Sequence, residues 1–235
     1  MGRALAQMSP GERPYVFTKC GLTWSADQRQ ATPRRNGAPA SIRREIEGSL
    51  RRLGVERIDL YQMHWPAGDG TPLEAYWQEL LDLKQAGKVR AVGLSNHNLA
   101  QLQDAEALGH VESLQPPFSA IQRSAAADLI PWCAQNGTGV IVYSPMQSGL
   151  LSGGFTAERA QALRQDDWRS RNAEFKAPNL ARNLALAEAL KPIAERHGAT
   201  QAAVAIAWTL AWPGVTGAIV AVSYTHLTLP TKRIV

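Results

Sequence analysis

The sequence predicts an α/β fold built on a parallel sheet, and two observations carry that expectation. Short apolar runs alternate with amphipathic stretches along the 235 residues. Short connections of this kind imply parallel strands with right-handed crossovers. Most of the apolar runs are β-branched or continuous, as in strands covered on both faces. A doubly wound sheet and an eight-fold barrel both satisfy the pattern. A Rossmann-type sheet calls for G-x-G-x-x-G after a strand. None is present, and GLLSGG at 149–154 has the wrong spacing.

Strands are expected at 15–18, 58–63, 90–94, 113–115, 139–143 and 217–221. Helices fall between them. Ser41 is the expected N-cap of a helix with Ile42, Ile46, Leu50 and Leu53 on one face. Thr71-Pro72-Leu73-Glu74 reads as a capping box with proline at the first helical position. Its apolar stripe runs through Leu73, Trp77, Leu80 and Leu81, and Gly87 stops it. Asn98 caps a helix bearing Leu99, Leu102 and Leu108, ended by Gly109. A longer helix over 180–197 closes at Gly198, and Thr200 opens an alanine-rich one to Ala211. The connection over 24–39 reads as a long loop.

Composition excludes several classes. Hydrophobic residues make up 45% of the chain, ordinary for a packed core. No apolar stretch approaches the roughly 18 residues of a membrane helix, and residues 1–8 lack the regions of a signal peptide. Two cysteines, Cys20 and Cys133, make no disulfide framework, so a reduced, cytoplasmic setting is expected. The net charge is +5, from 25 basic and 20 acidic residues. Its arginines concentrate at Arg34-Arg35, Arg43-Arg44, Arg51-Arg52 and Arg57, mostly on one expected helix. There Arg43, Glu47 and Arg51 sit four apart and can pair. Without interleaved aromatics this reads as a solvated face. No nucleic-acid or membrane partner is expected, and the sequence sets no oligomeric state.

Polar residues gather at the carboxyl ends of the expected strands. Lys19 follows the first, His64 the second, Ser95 and Asn96 the third; Gln115 closes the fourth, and Tyr143-Ser144 the fifth. Singly, each has a plain structural explanation: a snorkelling lysine, a structural histidine, a helix cap. In a β/α barrel such ends converge on one mouth, where the active site lies. Five coincidences at successive strand ends favour a site. The histidines at 64, 97, 110, 197 and 226 lack metal-ligand spacing, and neither G-x-S-x-G nor a P-loop occurs. Cys20 reads as a packed thiol, although its place beside Lys19 admits a lowered pKa.

These residues sit in longer motifs: VFTKCG at 16–21, SIRREIEGSLRRLGVERIDLYQMHWP at 41–66 and TPLEAYWQELLDLKQAGKVRAVGLSN at 71–96. SLQPPFSAIQRS at 113–124, GVIVYSPMQSGLLSG at 139–153 and HGATQAAVAIAWTLAWPGVTGAIV at 197–220 follow. Together they resemble the bacterial aldo-keto reductases over most of the chain. The resemblance implies a (β/α)8 TIM barrel that binds NADPH, or NADH, without a Rossmann domain. It implies reduction of a small carbonyl substrate, an aldehyde or ketone, to an alcohol by hydride transfer. By motif, the family's catalytic lysine and histidine fall on Lys19 and His64. Ser95, Asn96 and Gln115 match the residues that hold the nicotinamide carboxamide, and Tyr143 the aromatic that stacks on the nicotinamide. The loop 144–150, with Ser144, Pro145, Met146, Ser148 and Leu150, matches the one along the pyrophosphate. The segment 155–177 is expected to cover the cofactor. Hydride reaching a carbonyl carbon leaves charge on oxygen, which needs an acid and donors. The family's acid is a tyrosine, and a cation such as Lys19 would lower its pKa.

The chain departs from the family at both ends. The family's tyrosine and aspartate lie on an N-terminal stretch with no match here, and Gly2-Arg3-Ala4-Leu5 resembles the end of its second barrel helix. The expectation is an incomplete barrel over 1–222, with about six of eight strand–helix units. Exposed sheet edges, poor folding and weak activity would follow. Residues 223–235, SYTHLTLPTKRIV, are expected to be a non-family tail resembling translated adapter sequence. The choice between NADPH and NADH is therefore not legible. A non-catalytic cofactor-binding fragment or scaffold is the alternative; Lys19 and His64 favour the enzyme, because a scaffold has no chemical need for them.

Overall fold

The computed structural model describes residues 1–9, 11–24 and 32–220. A short helix α1 (Gly2–Leu5) precedes β1 (Phe17–Cys20). A small antiparallel hairpin follows, β2 (Leu22–Thr23) and β3 (Arg34–Arg35), where the sequence suggests only a loop. Then come α2 (Pro39–Leu53), β4 (Ile58–Met63), α3 (Leu73–Gln85), β5 (Val89–Ser95), α4 (Leu99–Leu108), β6 (Ser113–Gln115), α5 (Leu129–Asn136) and β7 (Gly139–Tyr143). The last elements are α6 (Ala157–Gln161), α7 (Asn179–Arg196), α8 (Gln201–Leu210) and β8 (Gly217–Ile219). The main sheet runs β1-β4-β5-β6-β7-β8. Each pairing from β1 to β7 is parallel. Strands in sequence order with helical crossovers make an incomplete (β/α)8 barrel. Residues 223–235, expected to be foreign to the family, lie outside the described residues.

The chain divides into two compact units. The first holds Met1–Pro117, Arg123–Ile141 and Trp212–Thr216. Its strand register sorts the side chains into two faces. Lys19 pairs with Gln62, Gln62 with Gly93 and Gly93 with Ser113, so these share one face. Cys20, Met63, Leu94 and Leu114, one residue further on each strand, take the other. Ile42 and Ile46 of α2, and Trp77 and Leu80 of α3, are fully buried.

Two helix starts differ from expectation. Helix α2 begins at Pro39 with Ala38 as N-cap, while Ser41 donates to Glu45 Oε1 at 3.0 Å. Helix α3 has Pro72 at the cap position rather than Thr71. In both, proline enters the helix start with φ already fixed and no N–H to satisfy. Asn98 caps α4 in a capping box with Gln101, and Thr200 caps α8, as expected. Arg43 does not pair with Glu47. It grips Glu79 of α3 with two contacts of 2.7 Å, while Glu47 pairs with Lys88. Glu79 is only 3% exposed. Meeting a buried carboxylate's charge outweighs an exposed i,i+4 pair worth about 0.3 kcal/mol.

Of the described residues, the second unit holds Phe118–Gln122, Val142–Ala211 and 217–220. Leu151, Ala187, Leu190 and Ala205 form one buried cluster, and Leu150, Phe155 and Phe175 a second. Phe118 stacks on Trp208, with centroids 5.5 Å apart. Phe155 and Phe175, near the two ends of segment 155–177, meet edge to face at 5.2 Å.

Candidate active site

In the first unit the parallel register puts the carboxyl ends of four adjacent strands side by side. Lys19 lies within β1, one residue short of its end, rather than after it. The backbone N–H of His64 donates to the Cys20 carbonyl at 3.0 Å, tying the two strand ends together. Both side chains are partly buried. Burial lowers the Lys19 pKa. Burial, and then the Lys19 charge, lower that of His64. The imidazole is thus held neutral in the field of a neighbouring cation.

Ser95, Asn96 and Gln115 join them. Ser95 Oγ donates to the Gln115 carbonyl at 2.8 Å. Asn96 Nδ2 lies 3.0 Å from the His64 carbonyl oxygen and 3.1 Å from Ser95 Oγ. Asn96 has φ 63°, the left-handed conformation that asparagine tolerates better than most residues. The Gln115 amide donates to Gln62 Oε1 at 3.0 Å, and Gln62 donates to Ser113 Oγ at 3.1 Å. Lys19, His64, Ser95, Asn96 and Gln115 are therefore brought together.

Three further residues belong to this cluster and escape the sequence reading. Gln62 is 1% exposed between the buried Tyr61 and Met63 of β4, and an amide in that apolar stretch is the signal that marks it. His97 and Tyr76 are both 2% exposed and bonded to each other at 2.8 Å. No spacing rule links a residue after a strand to one on the preceding helix. Cys20 is the packed thiol, its pKa pushed up by burial.

Tyr143 and 144–150 lie in the second unit. Tyr143 is half-buried, which raises its pKa, and its carbonyl accepts from Phe118 N–H at 3.1 Å. Ser144, Gln147 and Ser148 all have positive φ, as does Gly149. Such a run costs on the order of 1–3 kcal/mol per non-glycine residue and clusters at functional loops. Gln147 Oε1 accepts from Ser119 Oγ at 2.9 Å, which helps to hold the loop. Pro145 is buried, and Met146 packs on the Leu151 cluster. Leu150 is fully buried with Phe155 and Phe175, so its side chain belongs to the core.

Among the described residues no group of three His, Cys, Asp or Glu side chains is placed to hold a metal ion. No helix among them is long and apolar enough to cross a membrane.

The comparisons with known proteins agree with one another. The chain is 32% identical over 220 residues to the NADH-specific methylglyoxal reductase of Escherichia coli, covering 89% of this chain and 65% of that protein. It is 30% identical over 215 residues to the aldo-keto reductase YhdN of Bacillus subtilis, covering 91% and 63%. The solved structure of the glycerol dehydrogenase AKR11B4 from Gluconobacter oxydans superposes with a TM-score of 0.83 at 36% identity, over 92% of this chain and 65% of that one. The chain thus spans slightly under two thirds of the length of these relatives. The profile of the aldo/keto reductase family matches residues 1–229, and the chain belongs to that family.

Proposed function

We propose that this chain carries part of the active site of an NAD(P)H-dependent reductase of small aldehydes and ketones, methylglyoxal among them. The single observation behind the reading is the linked set Lys19, His64, Asn96, Ser95 and Gln115 at four adjoining strand ends. A nicotinamide dinucleotide asks for amide-matching groups beside its ring and a turned backbone along its pyrophosphate. Within the first unit Ser95, Asn96 and Gln115 suit the first need; taken by itself, the positive-φ loop 144–150 of the second unit has backbone of the second kind. The residues fit the cofactor, which when bound supplies hydride. His64, held neutral, donates a hydrogen bond to the substrate carbonyl and orients it. Lys19 stabilises negative charge beside it and would lower the pKa of a tyrosine acid placed there.

Among the described residues no tyrosine is matched to that acid. Tyr61 is fully buried on the far face of β4, and Tyr76 is committed to His97. By itself the chain is expected to turn over about 10²–10⁴-fold more slowly than a complete site. The free thiols of Cys20 and Cys133 suit a reducing, cytoplasmic setting. Titrating the chain with NADPH and NADH, then following oxidation of the reduced cofactor by methylglyoxal, tests the reading. Cofactor binding that survives in Lys19→Met with turnover abolished supports it. No binding of either cofactor overturns it.

A further inference from the structure

We infer that Tyr76 and His97 are a positioning pair for the Ser95–Asn96 turn, and through it for the nicotinamide carboxamide. The inference rests on the proposed function. Tyr76 lies on α3 and His97 just beyond β5. The Tyr76 hydroxyl is 2.8 Å from His97 Nε2, and His97 Nδ1 is 2.9 Å from the Ser95 carbonyl oxygen. A carbonyl only accepts, so Nδ1 bears the proton, Nε2 accepts and the Tyr76 hydroxyl donates. One tautomer satisfies both bonds. The rings meet edge to face at 5.9 Å, and both residues are buried.

The pinned residue is the hub of the site. Ser95 also donates to the Gln115 carbonyl and accepts from Asn96 Nδ2, which reaches on to the His64 carbonyl. Asn96 holds a left-handed φ that its surroundings must maintain. Two apolar rings would fill the space behind this turn equally well. Two polar groups locked in one hydrogen-bonding pattern there fix orientation as well as volume. Burial holds His97 at about 4, so the imidazole stays neutral and the pattern persists near neutral pH.

The test compares the 235-residue chain with Tyr76→Phe, His97→Phe and His97→Asn. Melting curves establish that each is folded, and tryptophan fluorescence follows titration with NADPH, NADH and ADP-ribose, which lacks the nicotinamide. Tyr76→Phe and His97→Phe are expected to raise the Kd for the preferred dinucleotide about tenfold, with ADP-ribose affinity unchanged. His97→Asn keeps a donor toward the Ser95 carbonyl and should recover most of the loss. Nitrogen-15 NMR should show a single Nδ1-protonated tautomer for His97. Wild-type Kd values in the folded phenylalanine variants, an equal loss for ADP-ribose, or an Nε2-protonated tautomer would each overturn the inference. If His97→Phe fails to fold, Tyr76→Phe decides, since it removes one oxygen. A wild-type chain that binds neither dinucleotide defeats the proposed function, and the inference with it; binding that is indifferent to the pair defeats the inference alone.

Discussion

The side-chain amide of Asn96 donates to the backbone carbonyl of His64 across 3.0 Å, fastening the turn after one strand to the end of its neighbour. The same amide donates to Ser95 Oγ, and the residue sits at φ 63°. Asn96→Ala removes the bonds and puts a less tolerant residue into the left-handed region. A loss of roughly 1–3 kcal/mol is expected from urea denaturation. Asn96→Gly removes the bonds but accepts the conformation, so its loss should be smaller. Equal losses would show that backbone conformation contributes nothing at this turn.

Lys19 and His64 make a second, electrostatic relationship. Burial is the larger cause of the lowered His64 pKa, and the Lys19 charge adds to it. Lys19→Met removes the repelling charge and leaves the burial. The His64 pKa should therefore rise, yet remain below 6.5. An NMR titration of the imidazole measures it directly, and an unchanged midpoint would mean the two groups do not sense each other.

His97 predicts a pH window for stability. Its pKa is about 4 in the folded chain against an ordinary 6.5, so the unfolded chain takes up the proton first as pH falls. The associated stability is fully present above pH 6.5 and drains away toward pH 4. At most it amounts to on the order of 3 kcal/mol. His97→Phe should flatten the fall in denaturation midpoint across that window. A variant that keeps the wild-type slope would assign the effect to other groups.

The sequence is legible where one residue type at one position carries the meaning. Strand–helix alternation follows from hydrophobic periodicity, and Lys19, His64, Ser95, Asn96 and Gln115 stand out as polar residues at the ends of apolar runs. It fails where the meaning lies between elements. Arg43 has a partner four residues away by pattern, but the three-dimensional contact is Glu79 on the next helix. His97 has no ligand-type spacing, and Tyr76 reads as helix core until the register of α3 is known. The starts of α2 and α3 are misread because Ser41 and Thr71 resemble caps, while prolines nearby set the helix entry.

Tyr61 offers a substitution with an unusual sign. Its hydroxyl is fully buried beside Cys20 and Glu45, and among the described residues it finds no hydrogen-bond partner of good geometry. Removing an unsatisfied polar atom gives back its desolvation cost. Tyr61→Phe should be neutral or stabilising by up to about 1 kcal/mol. A clear loss of stability would reveal a partner for the hydroxyl, such as an ordered water.

Gly93 holds the closest backbone approach in the polar face of the sheet. A Cβ added there would collide with the Ser113 carbonyl oxygen and lie 3.0 Å from the Ser113 Cβ. Neither can retreat easily. The carbonyl is backbone in β6, and Ser113 Oγ accepts from Gln62, which in turn accepts from Gln115. Gly93→Ala must therefore push β5 and β6 apart, at a cost of roughly 1–3 kcal/mol. The displacement falls two residues from Ser95 and on the strand that carries Gln115. Cofactor affinity should fall along with the denaturation midpoint, whereas Gly87→Ala, at a helix end with open space around it, should lower stability without touching affinity. If Gly93→Ala binds cofactor as the wild-type chain does, the spacing of these two strands does not set the geometry of the site.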